Sequence, residues 1–378
     1  MPTFAECLAA LPEFRNELHQ RRSEERATAV SAFAAHAFAT HGAFAAFSTP
    51  LSNVHATGVG VKSKNGEYTG EVTLKVYVFD KVAELPENIP LLSEWKGLPI
   101  DVEELPVQAI RTPEVDAQAA GGGNAAGAVT AQAVTPEQQR HRPIVGGISI
   151  SPLNADFIGT LGCFVRRKNL TTDQIFALSN NHVLADVNQL PLGTKIVQPG
   201  PELPPFITPP ADVFATLSTF IPIHFPTGPN DPTLNRFDAA IAAITPDAQV
   251  APGSMLGLPR NNLPGFDPSS VRSPEPNMRV MKVGRTTGFT RGMITATNVQ
   301  GTQVNYGSAQ LPRIAVFRET IEITGDNGQP FSLPGDSGSI ILEEATGHPV
   351  ALLFAGDGKT TTACDLGTLC QQLNAFPF

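Results

Sequence analysis

From residue 143 onward the chain is a succession of short apolar runs broken by Pro and Gly, and this pattern most limits how it folds. VGGISIS, FIGTLGCFVRR, QIFALS, FDAAIAAI, RVMKVG, GMITATNV, RIAVFRETIEI, GSIILEE and PVALLFAG are strand-length segments bounded by turn residues. The 33 glycines and 34 prolines supply turns and argue against long helices. Many short strands at this spacing bury their apolar side chains as a barrel or a pair of packed sheets. The Pro-rich stretch 199–234 reads as a long surface loop, and LGTLCQQLNAF as a closing helix.

The first third is built differently. Residues 1–52 read as a helical segment, with Leu11, Phe14 and Leu18 at helical spacing. An Ala-rich continuation packs through Phe33, Phe38, Phe44 and Phe47, with a break at Gly42 and a stop at Pro50. That stretch carries His36, Thr40 and His41 and is too weakly apolar for a bilayer, so no membrane association is expected. The first residues lack a basic start and a continuous apolar core, so they do not read as a secretory signal. Residues 53–110 form a small α/β unit, with strands in GVGVKS, VTLKVYVF and GLPIDV, and a loop or short helix between the last two. Residues 111–142 are Ala, Gly and Gln with almost no large apolar side chain, which predicts a flexible linker. Residues 143–378 form the main domain.

The net charge of −9, without any basic run, excludes a nucleic-acid partner. The four cysteines, Cys7, Cys163, Cys364 and Cys370, show no metal-ligand spacing, so neither metal nor cofactor is expected. Only Cys364 and Cys370 are spaced for a conceivable disulfide. Unpaired thiols suit a reducing compartment and predict a cytoplasmic location.

Three segments carry chemistry. In PGDSGSIIL, Ser337 sits on a Gly-flanked turn at the entrance to a strand. A nucleophilic hydroxyl belongs on such a turn, with the N–H groups of Gly335 and Ser337 free to hold an oxyanion. In FALSNNHVLAD, an apolar strand delivers His182 on a polar turn. In RFDAAIAAI, Asp238 opens an apolar strand, where a buried carboxylate needs a donor such as an imidazole N–H. The chain order His182, Asp238, Ser337 is that of chymotrypsin and differs from subtilisins and α/β-hydrolases.

KVGRTTGFTRGMITATNVQGTQVNY resembles the strand-turn-strand of α-lytic protease and streptogrisin-type bacterial serine proteases. GCFV, SNNHVLA, QPGP, GDSGS and LLFAG further resemble bacterial trypsin-like and plant narrow-leaf-type proteins. The resemblance covers 143–378 well and 53–110 more loosely. It implies a mainly β, chymotrypsin-like double six-stranded β-barrel, preceded here by the N-terminal helix and the small α/β unit. It also implies that Arg285 pairs with Asp336 behind the oxyanion turn. RPIVGG looks like a zymogen activation site, but Pro143 separates Arg142 from Ile144. Phe354 stands where trypsin-like enzymes carry a serine that supports the triad aspartate, so Asp238 needs other donors. Phe331 stands where trypsins have a pocket-floor aspartate, so preference for Arg or Lys is not expected and a small or medium apolar residue is. Ala355 and Gly356 are expected to pair with an extended substrate backbone.

The expectation is therefore a serine endopeptidase acting on a protein or peptide. The alternative is a silent pseudo-protease that binds peptides or scaffolds an assembly. The N-terminal region is read either as an inhibitory segment, cut near Arg140 or Arg142, or as a unit for homo-oligomerisation.

Overall fold

The computed structural model describes residues 1–37, 54–64, 66–79, 93–110, 134–168, 173–201, 207–228, 231–258, 263–308 and 310–378. Six strands close a ring in the C-terminal half. Arg279–Gly284 pairs with Gly288–Gln300, which pairs with Thr320–Gly325, then Thr360–Asp365, Pro349–Gly356 and Ile340–Glu343, back to Arg279–Gly284. A second sheet, half-closed, runs in the order Ala375–Pro377, Cys163–Arg167, Phe176–Ser179, Ala240–Ile244, Val213–Phe220, Lys195–Val197, Ser149–Pro152 and Gly159–Thr160. The strand Val213–Phe220 lies inside the stretch expected to be a long loop. Flanking prolines concealed this strand, whose Phe214, Ala215 and Leu217 are buried.

Side-chain alternation explains why the core strands read as continuous apolar runs. On Pro349–Gly356, Val350, Ala351 and Leu353 fill the closed barrel, while Leu352, Phe354 and Ala355 face the cluster that joins the barrels. On Phe176–Ser179, Ala177 points into the first barrel and Phe176 and Leu178 into the joint. Strands buried on both faces cannot show the polar alternation of a half-exposed sheet. The predicted terminal helix is Leu366–Leu373, capped by Asp365, whose side chain accepts from Thr368 N at 2.9 Å.

The N-terminal helix Phe4–Ala37 buries Cys7, Leu11 and Phe14 against Val59, Leu74, Val76 and Trp95. Of the apolar residues expected to continue it, Phe38, Phe44 and Phe47 lie outside the described residues, as does the side chain of Phe33. No helix among the described residues is long and apolar enough to cross a membrane. The sheet of the 53–110 unit continues into the closed barrel. Val54–Lys64 pairs antiparallel with Gly288–Gln300, and Gly60 lies so close to Thr295 O that no Cβ fits. Arg15 fastens the junction, donating from Nε to Thr57 Oγ1 at 2.9 Å and from Nη2 to the carbonyls of Thr57 and Asn298.

Of the expected linker, 111–133 lies outside the described residues. Within 134–142, Arg140 pairs with Asp212 at 2.6 Å and Arg142 donates to Gln198 Oε1 at 2.6 Å. Ile144 is fully buried and strand-paired.

Glu322 makes this junction sensitive to pH. Its carboxyl is buried and accepts from Tyr77 Oη at 2.7 Å, and burial raises its pKa to about 8. A folded pKa above the unfolded one gives stability that is complete below the unfolded value and lost as pH rises through the folded value. Glu322→Gln is therefore expected to match wild type near pH 4 and to melt several degrees higher at pH 8. Parallel melting curves across this range would refute the assignment.

Candidate active site

His182 lies on the one-turn helix Asn181–Leu184, just after the strand Phe176–Ser179. The two asparagines before it fix the turn. Asn180 Nδ2 donates to Asp238 O at 2.7 Å, and Asn181 Nδ2 donates to Ile221 O at 2.7 Å. The ring meets Asp238, with His182 Nδ1 to Asp238 Oδ2 at 2.6 Å and the His182 backbone N–H to Oδ1 at 3.2 Å. A carboxylate only accepts, so Nδ1 carries a hydrogen, and in the neutral imidazole Nε2 is then the acceptor.

Asp238 is fully buried and has a third donor, Tyr306 Oη at 2.8 Å on Oδ2. Burial, reinforced by the charge of Asp238, pushes the Tyr306 phenol well above its ordinary range, so it remains a donor. Tyr306 is thus the donor that Phe354 could not supply. It ends the QVNY segment, and the pairing of Thr302–Asn305 with Ile314–Phe317, which is bridged through Phe317 to Asn235, brings it to Asp238. Cys364 Sγ, also pushed up by burial and by Asp238, is a neutral thiol that donates to Leu352 O.

Ser337 sits on a turn held from both sheets. Thr160 N donates to Ser337 O at 2.8 Å and Thr160 Oγ1 to Gly335 O at 2.9 Å. Gly338 has φ +94, and a Cβ there would overlap Ser179 Oγ and Thr160 O. The serine turn is therefore packed onto the end of the strand that presents His182. Gly338→Ala is expected to cost about 2–4 kcal/mol and to disorder this turn. Denaturant unfolding measures that cost, and an unchanged midpoint would contradict the packing argument.

Ser337 Oγ lies 3.5 Å from Phe354 O, and no hydrogen bond among the described residues joins it to His182. Among the described residues, neither the Gly335 nor the Ser337 backbone N–H is taken by an acceptor.

Asp336 anchors the turn, but not through Arg285. Its Oδ1 accepts from Thr286 N at 2.8 Å and Thr287 N at 3.1 Å, and its Oδ2 from Thr287 Oγ1 at 2.7 Å and Leu333 N at 2.9 Å. The cation paired with it, among the described residues, is Lys282 at 3.5 Å, both side chains being fully buried. Lys282 projects from a core strand towards Asp336, whereas Arg285 lies on the turn itself. Its guanidinium donates to Thr286 Oγ1 at 3.0 Å and passes beside Gly335. Gly284 is required for this approach, because a Cβ would meet Asp336 Oδ1 at 2.5 Å.

Phe331 and Phe354, expected to line the cleft, are core side chains. Phe331 is buried within the closed barrel, and Phe354 packs on Phe317 at 4.8 Å in the joint between the sheets. What Phe354 presents to the site is its carbonyl. Ala355 and Gly356 close the same strand. No group of three or more His, Cys, Asp or Glu among the described residues is placed to hold a metal.

A closed six-stranded barrel and a half-closed one thus meet where the serine turn packs on Thr160 and on Ser179, the end of the strand that leads to His182. The chain has the chymotrypsin-like double-barrel fold. Residues 275–368 match the family model described as the Nal1 C-terminal domain. Protein NARROW LEAF 1 of Oryza sativa subsp. japonica is 25% identical over 362 residues, covering 84% of this chain. The chain spans 56% of that relative's length. Thermobifida fusca Protease A and Nocardiopsis Protease align with 62% of this chain and with 97% and 98% of their own. Their identities are 17% and 16%, each with a TM-score of 0.41. On this double barrel the sheet of the 53–110 unit is an addition to the edge of the closed barrel.

Proposed function

We propose that the chain is a serine endopeptidase in which His182, Asp238 and Ser337 act together. The observation that carries this reading is the buried His182–Asp238 pair, in which Nδ1 meets the carboxylate and Nε2 remains available as the base, on a strand end against which the Ser337 turn packs. Ser337 Oγ attacks the peptide carbonyl while Nε2 takes its proton, and Asp238, held by Tyr306, orients and stabilises the imidazolium. The N–H groups of Gly335 and Ser337 receive the oxyanion. His182 returns its proton to the leaving amine, and water then releases the acyl group through the same base. The Ser337 hydroxyl must first swing from the Phe354 carbonyl to the imidazole, and such contacts commonly tighten only when substrate binds.

In this proposal the substrate is an extended stretch of protein, the setting is cytoplasmic, and the N-terminal region serves regulation or self-association. Labelling with a fluorophosphonate tests it: a single adduct on Ser337 is expected. An unlabelled, folded protein would leave the peptide-binding scaffold as the better reading.

A further inference from the structure

We propose that Pro106–Ile110 is a tethered occupant of the peptide slot beside Ser337, and that its side chains mirror the peptides this slot accepts. The inference rests on the endopeptidase reading. Phe354 O is the carbonyl that Ser337 Oγ touches, so Gly356, two residues along the same extended strand, lies about 7 Å further on. An extended peptide paired at Gly356 would have its reacting carbonyl near the nucleophile.

That position is already filled. Ala109 of the short strand Gln108–Ala109 pairs antiparallel with Gly356, and the other edge of this strand runs parallel to Val304 and Asn305. The next residue there is Tyr306, the donor to Asp238. Antiparallel pairing places Ile110 on the Ala355 side of Ala109, one step nearer to Ser337. A substrate using the same main-chain pairing has to displace it. The strand is only two residues long and meets Gly356 at a single register position, so exchange needs no unfolding of the barrel.

The side chains describe the slot. Gln108 is fully buried, with Nε2 donating to Asp357 Oδ2 at 3.2 Å and to Pro106 O at 3.1 Å. Ala109 lies opposite a glycine. Ile110 is buried in the apolar cluster that contains Tyr306, Phe354 and Ala355. The preferred ligand is therefore an extended peptide carrying an amide donor, a small residue and a branched aliphatic residue in that order.

The test uses the full-length protein and two variants, Ala109→Pro, which removes the strand's N–H, and Gln108→Ala, which removes the amide contact. A fluorogenic peptide containing Gln-Ala-Ile serves as substrate, the free pentapeptide Pro-Val-Gln-Ala-Ile as competitor and dye-labelled ligand, and fluorophosphonate as the reporter of Ser337. A tethered competitor acts at millimolar effective concentration, so KM is expected to fall about tenfold or more in both variants with kcat unchanged. The pentapeptide is expected to inhibit the variants more strongly than wild type. Normal labelling of Ser337 with unchanged KM and unchanged inhibition overturns the proposal. Absence of labelling in every form overturns the endopeptidase reading instead. Binding of the labelled pentapeptide then decides the slot: tighter binding to the variants supports it, and equal binding refutes it.

Discussion

Ser337→Ala is expected to reduce kcat for peptide hydrolysis by about 10⁶, the scale seen when a triad nucleophile is removed. Stability is expected to stay within about 0.5 kcal/mol of wild type, because the hydroxyl makes only the 3.5 Å approach to Phe354 O. The combination is diagnostic. A structural serine on a buried turn would lose stability with its hydroxyl, and a catalytic one loses turnover alone. Stopped assays on a peptide library, with melting curves of both proteins, measure the two quantities together. Retention of wild-type turnover by the alanine variant would assign the nucleophile elsewhere.

The second large effect concerns the turn's foundation. Lys282→Met leaves the Asp336 carboxylate buried without its cation, and removing one partner of such a pair costs about 3–5 kcal/mol. The four remaining hydrogen bonds to Asp336 place the expected loss towards the lower end of that range. Adding Asp336→Asn to the same protein removes the uncompensated charge and is expected to restore part of the loss. A double variant no more stable than Lys282→Met would show that the ion pair is incidental. Turnover is expected to fall in the single variant as well, since Asp336 stands between the two N–H groups proposed to hold the oxyanion.

Local motifs made part of this site legible in the sequence. Ser337 is framed by two glycines, both with positive φ in the structure, and His182 follows a strand that must end in a polar turn. Asp238 at the head of an apolar strand called for a donor, and the structure supplies His182 and Tyr306. Long-range partners were harder to read. Tyr306 and Lys282 reach their carboxylates only after segments distant in sequence have paired, and nothing in their immediate neighbours announces it. Arg285 drew attention through a resemblance of its motif, while the buried lysine three residues earlier makes the ion pair. Phe331 and Phe354 read as cleft residues by position, yet Phe354 lies on a strand buried on both faces and Phe331, on the loop before the serine turn, folds into the closed barrel. The two-residue strand at Gln108 has no periodicity to detect, because its identity lies wholly in what it pairs with.

The thirteen-residue strand Gly288–Gln300 begins at the hairpin that caps Asp336 and finishes against Thr57, Val59 and Gly60. One continuous, bulged strand therefore connects the amino-terminal layer to the turn that holds Asp336. A polypeptide shortened to begin at residue 143 would strip the far end of that strand of its neighbour, baring main-chain donors and acceptors that invite another copy to dock. Such a fragment is expected to self-associate through that bared edge, which in the full chain is occupied by Val54–Lys64.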